Sequence, residues 1–167
     1  MTDKHTGFRR IASLPTYLVE LSVLVGRKVD VNELLPENET SILAARLKQI
    51  PKHQVNYFRV PFDIRQSAVF AAMIEELHAL NPSAVVLWPT KANDCGLLEI
   101  PSLKYINFDF GFDAISEGIL VVSTRDGLDR MLLDFGEEEG GERLLDIELH
   151  GPNWSRAKLI MHQPTIG

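Results

Sequence analysis

A single cysteine, Cys95, stands in the 167 residues of the chain, so no internal disulfide can form. That scarcity suits a reducing compartment, and a cytoplasmic protein is expected. Long hydrophobic runs are lacking too, and none approaches the roughly 20 residues that a membrane-spanning helix needs. The opening MTDKHTGFRR is polar throughout and lacks the apolar stretch of an export signal, so no membrane partner is expected. Basic charge is scarce in one region above all. Between residues 93 and 151 only Lys104, Arg125, Arg130 and Arg143 oppose 14 carboxylates, a net of −10 in a chain whose total is −6. Such a segment repels phosphate backbones, which excludes nucleic acid as the expected partner, and it attracts basic surfaces.

The usual signatures of catalysis are also missing. There is no G-x-S-x-G elbow, phosphate loop, G-x-G-x-x-G fingerprint, H-E-x-x-H pair or Cys/His ligand cluster. No catalytic residue, metal site or cofactor is therefore expected. Cys95, in the loop KANDCG, has no base tied to it in sequence, although His53, His78 and His150 are open possibilities in space. Gly136, Gly140 and Gly141 are interspersed with glutamates, which makes a mobile acidic loop and no phosphate cradle. His78 reads as exposed helix surface, and His5 and His162 lie near the ends. One enzymatic alternative stays open: a small metal-dependent hydrolase using the paired acids Asp109 and Asp113, or the face Asp146, Glu148 and His150.

What is present is an ordinary globular composition, 45% apolar and 24% charged, enough for a core in one domain spanning 1–167. The opening to about Leu14 reads as loose, and 15–28 as a helix that Pro15 starts, although its β-branched and aromatic residues would also suit a strand. Asn38 or Thr40 is expected to cap a helix to about Gln49, with Ile42, Leu43, Leu47 and Ile50 on one face. The run 54–62 reads as a strand ended by Pro61. Asp63 with Gln66 is a capping-box pattern for a helix placing Val69, Phe70, Met73, Ile74, Leu77 and Leu80 inward until Asn81-Pro82. A buried strand at 84–88 follows, so the two strands around that helix are expected to pair in parallel. Downstream, 105–113 alternates Phe108, Phe110 and Phe112 against polar residues and reads as a half-buried strand. Strands at 118–124, 130–135 and 143–150 complete a meander, with a hairpin turn at Asp126-Gly127. The RAKLIM stretch (156–161) reads as a short amphipathic end. The fold class expected is α+β: helices mainly in the first half, packed on a mixed or antiparallel sheet with a C-terminal meander.

The C-terminal quarter GILVVSTRDGLDRMLLDFGEEEGGERLLDIELHGPNW carries a D-x-E-x-H strand followed by H-G-x-x-W, with an acidic loop between two strands of the meander. In these features it resembles the immunity proteins of bacterial contact-dependent inhibition and related polymorphic toxin systems. The resemblance implies a cytosolic inhibitor that binds the toxin domain of its own system, frequently a basic nuclease. The toxin-binding residues then expected are Asp126, Asp129, Asp134, Glu137, Glu138, Glu139, Glu142, Asp146, Glu148 and Trp154. Tyr105 and Trp154 each join a large apolar area to a hydrogen-bonding tip, as interface anchors do, with core packing the stronger expectation for Trp154.

Overall fold

The structure, a computed structural model, describes residues 4–51 and 55–159, with side chains from residue 10 onward. His53, His162, the side chain of His5 and the end of the RAKLIM stretch lie outside the described residues.

The chain opens in a long helix, α1 (Lys4–Val25), which begins well before the start expected at Pro15 and takes in most of the stretch read as loose. Pro15 lies inside it. A proline there removes one hydrogen bond, to the carbonyl of Ile11, and Ile11 is 75% exposed, so water can take that carbonyl. Tyr17, Leu21 and Leu24 are its fully buried stripe at helical spacing. Gly26, at φ +64°, ends the helix in a Schellman arrangement: its amide donates to Val23 and that of Arg27 to Ser22.

A second helix, α2 (Glu37–Leu47), starts at Pro36 with no side-chain cap, so neither Asn38 nor Thr40 has the expected role. Leu43 and Ile50 turn inward, but Ile42 is 52% exposed. The third, α3 (Ala68–Leu80), is capped by Ser67, whose hydroxyl accepts from the Phe70 amide. The expected Asp63–Gln66 box lies instead in a 3-10 turn over Phe62–Gln66, because Pro61 admits a tight turn first. Phe70, Met73, Ile74 and Leu77 are buried as the spacing predicts. A single turn, α4 (Ala92–Cys95), completes the helices among the described residues.

Among the described residues six strands form one sheet: β1 (Val55–Pro61), β2 (Val85–Pro89), β3 (Leu98–Ile100), β4 (Ile119–Thr124), β5 (Arg130–Glu137) and β6 (Arg143–His150). Their order is β1-β6-β5-β4-β2-β3, and every neighbouring pair is antiparallel. The fold is α+β. The parallel pairing expected for the strands around α3 does not occur: β1 and β2 run the same way, but the whole β4–β6 meander lies between them. Tight turns let that meander form with little chain, and it offers each of the two strands an antiparallel partner. Gly127, at φ +74°, makes the expected turn between β4 and β5. Met131, Leu133, Phe135, Leu145, Ile147 and Leu149 are buried on the core side, as their alternation predicts.

Residues 105–113 are not a strand. The three phenylalanines do turn inward, Phe108 edge-on to Phe70 at 5.1 Å and Phe112 edge-on to Phe62 at 5.1 Å. Extended backbone keeps period two whether or not it joins a ladder, and here its polar groups are taken elsewhere. The Asn107 amide donates to Leu24 at the end of α1. The buried guanidinium of Arg65 donates to the carbonyls of Phe108 and Phe110, and its flat face covers the Phe62 ring at 3.6 Å. One arginine thus clamps the aromatic segment beside the sheet.

Candidate interaction surface

Alternation along the strands sorts side chains onto a core face and an open face, and the register sets the open-face residues in rows. One row runs Tyr57, Glu148, Leu132, Val121, Trp88. The next runs Arg59, Asp146, Asp134, Ile119. A third, Val55, His150, Arg130, Ser123, Val86, is largely covered toward β2, where Ser123 and Val86 are buried. At that side Arg125 bridges Glu39 of α2 (2.7 Å) and Glu99 of β3 (2.5 Å). The first two rows stay wet toward β1, with Tyr57 51% and Ile119 36% exposed.

Charge on this face is partly balanced within it. The Tyr57 hydroxyl donates to Asp146 Oδ1 at 2.6 Å, and Arg59 stands 3.8 Å from the other oxygen of Asp146 while contacting Glu138. Asp146 and Glu138 together push the Arg59 pKa up, and the hydrogen bond to Asp146 raises that of Tyr57. Glu148 pairs with His150 Nε2 at 2.8 Å. Burial lowers the pKa of Arg130 against the pull of Glu148, and its Nε, like His150 Nδ1, is buried without a hydrogen-bond partner among the described residues. Asp134 lies directly opposite Asp146, an arrangement of like charges that disfavours the sheet.

The ten residues expected to contact a toxin fall into three groups. Asp134, Glu139 and Glu142 are exposed and have no cation within 4.0 Å among the described residues. Glu137, Glu138, Asp146 and Glu148 reach the surface already paired, Glu137 with Arg143 at 3.2 Å. Asp126, Asp129 and Trp154 belong to the fold. Asp129 and Trp154 are fully buried, which removes both from any contact surface.

Their burial has a common cause. Asp129 Oδ1 accepts from the amides of Asn153 (2.9 Å) and Trp154 (3.0 Å), and Oδ2 from the side chains of Asn81 (2.7 Å) and Asn153 (2.8 Å). Four donors satisfy the carboxylate without a cation. Trp154 in turn donates its indole N–H to the Leu77 carbonyl at 3.0 Å. Between them Gly151 sits at φ +104°, where a Cβ would strike the Leu128 carbonyl and Asp129 Oδ1. The H-G-x-x-W motif is therefore a latch that ties the end of β6 to the β4–β5 turn and to α3. Asp126 adds to it: burial alone would push its pKa up, but bonds from Thr124, the Leu128 amide, Asn81 and Ser83 outweigh this and hold it below the usual value.

Sequence reasoning missed Tyr57, Arg59, Ile119 and Leu132 as members of this face. The alternation in QVNYFRVPF already set Tyr57 and Arg59 on one side, but only the β1–β6 pairing says that this side is the wet one.

Of the enzymatic candidates, Asp146, Glu148 and His150 share the open face of β6, with Glu148 bonded to His150, whereas Asp109 and Asp113 lie on the irregular aromatic segment. Among the described residues no three His, Cys, Asp or Glu side chains are grouped to hold a metal ion. Asp109 accepts from Gln66 at 2.6 Å, on the irregular aromatic segment. Cys95 is buried, and burial, then Asp94, pushes its thiol up and away from the thiolate. His78 is half-buried and bonds Ser102 at 3.1 Å, while Tyr105, 63% exposed, stands by that same turn on the α3 side and away from the open face. A groove of about 500 Å³ along α1 is apolar, lined by Leu18, Val19 and Val29 among others. No helix among the described residues is long and apolar enough to cross a membrane.

No protein-family model, curated protein or solved structure matches the chain.

Proposed function

We propose that this chain is an immunity protein that binds and neutralises a cognate basic toxin domain of nuclease type, in the cytoplasm, through the acidic β5–β6 hairpin and the strands that carry it. The observation that supports it best is the set of exposed acids with no cation within 4.0 Å among the described residues, Asp134, Glu139 and Glu142, beside Glu137 and Glu138 at the same end of the hairpin. Nuclease toxins carry basic clefts for phosphate, and an acidic surface meets such a cleft as nucleic acid would. Charges at the rim of this contact accelerate encounter, and those at its centre hold the complex. Among the described residues neither candidate set of acids is grouped so as to hold a metal ion, which favours a binder over the hydrolase alternative.

The test purifies the proteins encoded by the genes adjacent to that for this chain and assays them for nuclease activity with and without it. The expected result is a one-to-one complex without nuclease activity, associating more slowly at about 500 mM salt than at about 50 mM. No complex at the lower salt concentration overturns the proposal.

A further inference from the structure

The acidic tip of the hairpin attracts, but a basic surface held only there would be exposed to salt and water on all sides. The open face beside it has the makings of a contact centre: large apolar side chains left uncovered and a local shortage of positive charge. Asp134, Asp146 and Glu138 lie together on this face, and among the described residues the cation that reaches any of them is Arg59. Arg59 reaches Asp146 and Glu138, and Asp134, directly across from Asp146, is left without a cation among the described residues. Like charges so placed cost the free protein stability. A cation brought by a partner would remove that cost and gain two charge-assisted hydrogen bonds.

We infer that the open face of β1, β6, β5 and β4 is a docking surface for a basic protein, which seats an arginine between Asp134 and Asp146. A guanidinium spans two carboxylates with its planar fork, whereas an ammonium meets them as a point. Tyr57 orients Asp146 by its hydrogen bond, and Ile119 and Leu132, the cross-strand neighbour of Asp134 and the residue two before it, offer apolar walls that keep water from the pair. A second copy of this chain fits poorly, because a two-fold contact centred here brings carboxylates against carboxylates. The inference takes the basic character of the partner from the proposed function, but the place of contact from the face itself.

The experiment maps hexa-arginine and hexa-lysine peptides onto the full chain by amide chemical shifts, with affinities from calorimetry. Hexa-arginine is expected to bind more tightly than hexa-lysine and to shift Tyr57, Ile119, Asp134 and Asp146. Asp134→Asn is expected to weaken hexa-arginine binding roughly tenfold while raising the melting temperature, a pair of effects that a structural role would not produce. Glu139→Gln is expected to change affinity less than about threefold, as a rim charge does. Shifts confined to residues 137–142, or an Asp134→Asn variant that binds as before, overturn the inference. So does a dimer in light scattering that Asp134→Lys dissociates. The two proposals fail separately: toxin binding indifferent to Asp134→Asn defeats this one alone, and peptide binding on the face without any toxin complex defeats the immunity assignment alone.

Discussion

Asp129 illustrates how little a residue's charge says about its position. It stands in the most acidic part of the sequence and beside a hairpin turn, yet it is fully buried and bonded by four donors. Asp129→Ala orphans those donors in the core, each at a cost of about 1–3 kcal/mol, so the urea midpoint should fall sharply. An unchanged midpoint would mean that the latch is not formed in solution. Asp126 predicts a pH effect of definite sign. Its folded carboxyl is held below the ordinary value of 3.8, so the native state favours the ionised form. Its contribution is complete above 3.8 and is lost as pH falls through the folded value. The stability gap between the native chain and Asp126→Asn should therefore narrow between about pH 6 and about pH 2 in denaturation curves. The sequence marked the turn through its Asp-Gly pair, but not which neighbouring acid it would bury. That depends on Asn81 and Asn153, each far from Asp129 along the chain.

At the scale of elements, the period of the apolar residues predicted α3, β4, β5 and β6 closely, because each alternates or repeats against a single core. It failed where one pattern serves two structures. Residues 105–113 have the alternation of a strand, but their backbone bonds run to Arg65 and to the end of α1, and no local signal announces a distant arginine. Pro15 misled in the opposite sense, since proline opens helices more readily than it interrupts them. Its side chain is exposed, so Pro15→Ala should restore a helix bond without loss of packing. The melting temperature should rise, by an amount corresponding to roughly 1–3 kcal/mol. A fall would mean that α1 is not continuous through this point.

For the molecule as a whole, the segregation of charge was legible from a count, whereas the surface that bears it was not. Counting placed a net of −10 in 93–151 without distinguishing buried from paired or free acids. The open face also draws on Tyr57 and Arg59, from the part of the chain whose net charge is slightly positive. The resemblance rested on the meander, its acidic loop, the D-x-E-x-H strand and the final H-G-x-x-W, and the last of these builds the latch. Asp146 of the D-x-E-x-H strand is also part of the proposed contact surface, whereas Gly151 and Trp154 are buried in the latch.

The pairing of β1 with β6 sets a timetable for synthesis. Tyr57 and Asp146 bond across 89 residues of chain. A ribosome releases β1 long before its partner β6 exists, so the strand must wait while the helices and the rest of the sheet emerge. Contacts so distant in sequence form late and slowly. Arg59 on β1 and Asp146 on β6, side by side in the docking surface, therefore come together late in folding. A nascent or truncated chain lacking β6 would expose a sticky edge and have no assembled face with which to recognise a partner.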